Sequence, residues 1–331
     1  MRRTSRLLTG VAALLAATVA FTACSTPAPA ESPTTAPEDA AWPRTITHEL
    51  GTTEIDAKPE RVVTTSITLA GTLLAIDAPL VASAATTPGD LTDENGFFSQ
   101  WADVAADRGV EVLYPDLELD LEAVIAADPD LIVISTTGAD QTADAYDQLS
   151  DIAPTIAVNY SDKSWQDVAE ILGEATGLED EATATVEGYD AHVAEVASKI
   201  TVPEGDVNAI VFNGTENDSA FAKPGGPHAT ILDALGFSVV GAPDDVDTSQ
   251  APRQDFAFVS TENTVANLTA PTVFLIYGDD ATKEQLLAEP LFASAPAVVS
   301  GDVYPLGLTS FRIDYFSALG IVDAIAGFFG G

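Results

Sequence analysis

Cysteine, histidine and cationic side chains are all scarce in this 331-residue chain, which carries one Cys, three His, and 13 Lys and Arg against 51 Asp and Glu. A single thiol excludes an intramolecular disulfide framework, a thiolate zinc site and an iron–sulfur cluster. His48, His192 and His228 stand far apart, with no H-x-H or H-x-x-x-H pair, so the helical metal-site pattern is missing. Each reads as a surface or capping histidine. A formal net charge of -38 repels phosphate backbones and anionic lipid, which excludes nucleic-acid and polybasic-membrane roles. Neither a G-x-S-x-G elbow nor a G-x-x-x-x-G-K-[ST] phosphate loop occurs. Carboxylates are so abundant that no pair is marked as a glycosidase dyad. Nothing supports catalysis, and the chain reads as a non-enzyme; a secreted hydrolase would need a nucleophile–base pair that is not evident.

What is present is a core. Hydrophobic residues make up 46% of the chain, which excludes disorder, and the length allows one large or two medium domains. At the N-terminus Arg2, Arg3 and Arg6 precede an apolar run from Leu7 to Phe21. That run is short for a membrane span, which needs about 20 residues, and fits a secretory signal. It closes on Phe21-Thr22-Ala23-Cys24, which resembles a bacterial lipobox. Residues 1–23 are therefore expected to be a lipoprotein signal peptide, with Cys24 lipidated and the protein held outside the cell membrane. Residues 24–42 are rich in Ser, Thr, Pro, Ala and acid and read as a flexible tether.

The body alternates short apolar runs with helix-period segments, as βα units do. Strands are expected at 61–66, 80–85, 130–135 and 155–159, then at 208–213, 238–241, 272–277 and 302–305. Helices are expected at 69–76, 121–127, 164–176, 230–235, 283–288 and 314–328. The segment 179–200 stands apart: it lacks Pro, and Val186, Tyr189, Val193, Val196 and Ile200 form one apolar stripe. A helix of about 22 residues would span roughly 33 Å, long enough for a strut. The expected organisation is α/β, with an N-terminal lobe at 43–178, a connecting helix at 179–201 and a C-terminal lobe at 202–331.

Because cations are few, their positions are informative. Arg312 lies in Phe311-Arg312-Ile313-Asp314-Tyr315, between the last strand and the last helix, where open α/β sheets bind ligands. An arginine beside aromatics can meet an anionic aromatic ligand by charge and stacking; pairing with Asp314 is the alternative. Arg253 carries the same two readings. Ser66 and Thr68 follow the first strand and Thr137 the third, where hydroxyls can meet ligand oxygens or cap helices. Phe98 and Trp101 flank the Gly96 loop, and Phe221 falls in a Gly/Pro-rich stretch; some of these aromatics are expected to line a cleft.

The stretches TTSITLAGTLLAIDAPLVASAATTP (64–88), PDLIVIS (129–135), YDQLSDIAPTIAVNYSDKSWQ (146–166), LGEATG (172–177), VYPLG (303–307) and FRIDYFSA (311–318) carry a resemblance. With the lipoprotein signal and the long helix, the chain resembles the helical-backbone substrate-binding proteins of bacterial iron-siderophore import, from about residue 46 to 329. The resemblance implies two βα lobes joined by one long helix, without a cofactor. It implies a ferric siderophore as ligand, a catecholate such as ferric enterobactin, with the iron held by the siderophore. Arg312 and Phe311 match the family's Phe-Arg that faces the catecholate, Arg253 a basic loop position, and Phe221 a tryptophan. Ser66, Thr68 and Thr137 match hydroxyl-rich loops. Glu122 and Asp233 match the acids that dock on an ABC permease in the membrane, and a monomer is implied. One departure stands out: where the family carries an arginine after Thr86-Thr87-Pro88, Gly89-Asp90-Leu91 supplies none. Hydroxamate siderophores, haem or cobalamin on the same scaffold, and a surface adhesion module, are the alternatives.

Overall fold

The computed structural model describes residues 42–249 and 253–331. The expected signal peptide and Cys24 lie outside them, as does all of the expected tether but Trp42.

The chain enters through a hairpin, β1 (Arg44–His48) and β2 (Gly51–Ile55), which the apolar-run reading passes over. A parallel sheet follows, of β3 (Val62–Thr64), β4 (Leu80–Ser83), β5 (Glu111–Val112), β6 (Leu131–Ser135) and β7 (Thr155–Val158), in the order β5-β4-β3-β6-β7. Its helices are α1 (Ile67–Ala75), α2 (Ala102–Asp107), α3 (Leu121–Ala126), α4 (Tyr146–Ser150) and α5 (Trp165–Thr176). The strands are apolar without alternation because both faces are covered. Leu131 and Val133 of β6 join one core while Ile132 and Ile134 join another. Each such side chain contributes roughly 1.5–3 kcal/mol on burial.

Gly177 ends α5 in the left-handed conformation, φ 68°, and the chain turns straight into α6 (Glu179–Lys199). Three acids in its first turn and Lys199 in its last complement the helix dipole. Tyr189, Val193 and Val196 are buried and Val186 and Ile200 partly so, as the stripe predicts.

The second sheet has β8 (Val207–Val211), β9 (Ser219–Ala222), β10 (Phe256–Val259), β11 (Thr272–Leu275) and β12 (Val303–Pro305), in the order β10-β9-β8-β11-β12. β8, β11 and β12 run parallel, whereas β9 pairs antiparallel with both β8 and β10. The strand expected at 238–241 reduces to one bridge, Val207 to Val239. β9 and β10 occupy that edge, so 238–241 has no further room to pair. Around this sheet lie α7 (Pro227–Ala234), α8 (Thr261–Asn267), α9 (Asp280–Ala288), α10 (Pro296–Ser300) and α11 (Tyr315–Phe329).

One apolar core passes through both halves, from Leu73 and Trp165 by way of Tyr189 and Val193 to Leu232 and Ile325. The rings of Trp165, Tyr189 and Tyr315 meet edge to face at 5.1 and 5.5 Å, tying α5, α6 and α11 together.

Candidate binding cleft

Loops at the C-terminal ends of β3, β4, β6, β11 and β12 converge on a cavity of about 380 Å³. The first half supplies Thr68, the Thr86–Thr92 loop, Phe98 and Asp140, and the second supplies Tyr277, Phe311 and Arg312. This is the crevice that an open α/β topology creates at its strand ends. A larger cavity of about 780 Å³ runs along α6, lined by Trp165, Tyr189, Val193 and Ile231. Its one cation, Lys163, is already paired with Glu49 and Asp162. The chemistry therefore favours the smaller cavity.

On the first-half wall the organising group is Asp140, only 4% exposed. The Ser66 hydroxyl donates to its Oδ2 at 2.5 Å, the Thr68 backbone N–H to the same oxygen at 3.1 Å, and the Tyr160 hydroxyl to Oδ1 at 2.7 Å. The carboxylate thus satisfies an open N–H in the first turn of α1, at the positive end of the helix dipole. Burial, then the Asp140 charge, pushes the Tyr160 phenol well above its ordinary value, so it stays protonated and donating. Gly138, at φ 82°, leaves the space that the Tyr160 hydroxyl fills; a Cβ there would collide with it.

The opposite wall is aromatic. Phe311 stacks on Phe256 at 5.7 Å with an interplanar angle of 11°, and Tyr277 lies 6.4 Å from Phe311. Tyr277 has φ 55°, a left-handed conformation that is costly for a bulky residue. Its N–H donates to Ser310 Oγ at 2.9 Å, the Ser310 hydroxyl donates to the Gly307 carbonyl at 2.7 Å, and His228 Nε2 donates to the Ser310 carbonyl at 2.8 Å. These bonds hold both Tyr277 and the turn that precedes Arg312.

Arg312 is half-buried and makes no ion pair with any described residue. Its guanidinium lies 5.7 Å from the Phe311 ring centre. In a chain with 51 acids, an arginine left unneutralised inside a crevice is unusual. Asp314 does not pair with it. That carboxylate is buried, caps α11 through Ser317 N–H at 2.9 Å, and accepts from Gln100 Nε2 at 3.1 Å.

The cavity thus brings together four of the expected ligand residues, Arg312, Phe311, Thr68 and Phe98. Five others lie elsewhere. Phe221 is fully buried in β9 and belongs to the core, so it presents no stacking face. Trp101 is 1% exposed, packed beneath Phe97 and Phe98 at 5.2 and 6.2 Å. Arg253 donates two hydrogen bonds to the Asp255 carboxylate, at 2.8 and 2.6 Å, and does not line the cavity. Ser66 is buried behind the wall as a donor to Asp140, and Thr137 exchanges hydrogen bonds with Ser135 away from the cavity. His228 is buried, not a surface residue. Glu122 in α3 and Asp233 in α7 are both exposed.

Asp140, Tyr160 and Tyr277 escaped the sequence reading. Tyr277 looked like the end of a strand, and its left-handed φ leaves no mark in composition. Asp140 lies five residues past β6, one acid among many; its one signal is the Ser/Thr/Gly loop before it.

Comparison with known proteins places these features in context. The family described as periplasmic binding protein matches residues 62–308. The ferric enterobactin-binding periplasmic protein FepB of Escherichia coli O6:H1 is 41% identical over 293 residues, covering 88% of this chain and 92% of that protein. A probable siderophore-binding lipoprotein of Bacillus subtilis, YfiY, is 25% identical over 88% of this chain and 87% of its own length. Among solved structures, holo-ViuP superimposes with a TM-score of 0.81 at 38% identity, covering 88% of this chain and 96% of that one.

Proposed function

The chain belongs to the periplasmic binding protein family, and from that premise we propose that it captures a ferric siderophore outside the membrane for an ABC importer. The observation that carries this is Arg312, a guanidinium without an ion-pair partner among the described residues, set beside Phe311 and Tyr277 in the crevice between the halves. Iron, as cargo, stays inside the siderophore's own oxygen shell. Arg312 donates a planar fork to the oxygens of a catecholate arm, a donor class drawn from kinship with FepB, while Phe311, Tyr277 and Phe98 face the ligand's rings. Thr68 adds a hydroxyl at the opposite wall. Nothing here requires a catalytic group, a protein-bound metal or another cofactor.

The remaining assignments rest on the family resemblance. Cys24 carries the lipid, the lobes are 43–178 and 202–331 with 179–201 between them, and the protein is a monomer. Glu122 and Asp233, exposed on one lobe each, meet arginines of the membrane permease.

The test is a titration of the 331-residue chain with a ferric catecholate, a ferric hydroxamate and cobalamin, followed by tryptophan fluorescence corrected for ligand absorbance. Trp101 packs against Phe98 and so reports on the cavity wall. Arg312→Ala should weaken ferric-siderophore binding about 30- to 100-fold, the scale of lost charge-assisted hydrogen bonds. Arg312→Lys should recover only part, because it keeps the charge but not the fork. Binding of cobalamin alone, or siderophore binding indifferent to Arg312, would refute the assignment.

A further inference from the structure

The charge lining the cleft is unbalanced in a direction that constrains its cargo. Among the described residues Arg312 is the one cation on the cavity, and it shares the cavity with two carboxylates, Asp90 and Asp140. Asp140 is fixed by three donors, from Ser66, Thr68 and Tyr160, and cannot swing away. Asp90 is exposed on the loop after β4. No other cation among the described residues makes up the deficit. Arg108 is engaged by Asp77 at 2.5 Å, Lys163 by Glu49 at 2.8 Å, and Arg253 by Asp255; none lines the cavity. The guanidinium on one side therefore faces fixed negative charge on the other, within a molecule already strongly acidic.

A ferric ion wrapped by three catecholate dianions is a trianion. Replacing two catecholates by hydroxamate monoanions leaves a monoanion, and replacing all three leaves a neutral complex. We propose that the cleft selects a ferric siderophore of low net charge, a mixed-donor monoanion or a neutral tris-hydroxamate, and disfavours the tris-catecholate trianion. Such a cargo turns its anionic oxygens toward Arg312 and its hydrogen-bond donors, amide or amine N–H groups, toward Asp140 and Asp90. The aromatic wall of Phe311 and Tyr277 still accommodates one catecholate ring. This inference rests on the reading that the cavity takes a ferric siderophore.

The experiment uses hexadentate ferric complexes built on one backbone, with three, one or no catecholate arms and hydroxamates for the rest. Calorimetric titration of the 331-residue chain compares them at low salt and at about 0.5 M salt, where exposed charges are screened. The monoanionic and neutral complexes should bind at least about tenfold more tightly than the trianion, a gap worth about 1.4 kcal/mol. Asp90→Arg should narrow that gap by about threefold or more, as should added salt. Asp140→Asn serves as a second variant, with its thermal unfolding compared first because the side chain also supports α1. Equal or tighter binding of the trianion would overturn the inference and leave the siderophore reading intact. So would a gap that both variants leave unchanged. Failure of every ferric complex to bind would overturn the siderophore reading, and this inference with it.

Discussion

Burial in α7 pushes the His228 imidazole down to about 4, although its bond to the Ser310 carbonyl and the Asp255 charge oppose the shift. Nε2 carries the proton, because it donates to that carbonyl, and Nδ1 has no partner among the described residues. The unfolded chain takes up a proton near pH 6.5, whereas the folded chain resists until about pH 4. Stability is therefore full above pH 6.5 and falls as pH drops from 6.5 to 4, by about 3 kcal/mol from this residue. Partial burial lowers His48 in the same direction, while burial raises Asp314 and so stabilises the fold at low pH, an advantage lost as pH rises. Denaturant unfolding at pH 7.5 and pH 5 should show this loss, and His228→Gln should shrink the difference while lowering stability at pH 7.5. An unchanged pH dependence in that variant would place the titration elsewhere. His228 read as a surface or capping residue because a lone histidine between Pro227 and Ala229 gives no periodic cue for burial. Arg312 was readable because cations are rare; the same scarcity drew Arg253 into the site, and its neighbour Asp255 is what removed it.

Among the elements, the parallel strands were the most legible, because burial on both faces writes continuous apolar runs such as Leu131–Ile134. β9 and β10 were not. Each is four residues, Ser219–Ala222 and Phe256–Val259, and the reversed run of β9 between β8 and β10 breaks the βα alternation on which the reading relied. The longest helix was legible throughout its stripe, and it offers a clean test. Gly188 sits exposed in mid-helix with a helical backbone and open space where a Cβ would go. Gly188→Ala should stabilise the protein by about 0.5–1 kcal/mol through the lost freedom of the unfolded chain. The expected rise in thermal midpoint is about 1–3 °C. A fall would mean that α6 tolerates no change on its solvent face, against the packing seen there.

At the scale of the whole molecule the question is how far the two halves can close on a cargo. α6 connects them without a flexible break. The core that includes Leu73 and Trp165 continues through Tyr189 to Leu232 and Ile325, and α11 packs on both α1 and α6. The Gln100–Asp314 bond at 3.1 Å adds a part-buried polar tie across the same junction. Hinge closure needs a few residues free to absorb large backbone changes, with little packed core to shear. Here closure would have to slide α11 over α1 and break apart the Trp165–Tyr189–Tyr315 cluster, so close-packed side chains resist it. The cleft is accordingly preformed, and selectivity comes from the fixed positions of Arg312, Asp140 and the aromatic wall, with no lid needed to complete the site. Small-angle scattering with and without saturating ferric siderophore should give radii of gyration that agree within about 0.5 Å, as for partners whose backbones hardly move on binding. A contraction of more than about 1 Å would demand a hinge that the shared core forbids. The Gln100–Asp314 tie would then be the first contact to test, by Gln100→Ala, for a gate in place of a brace.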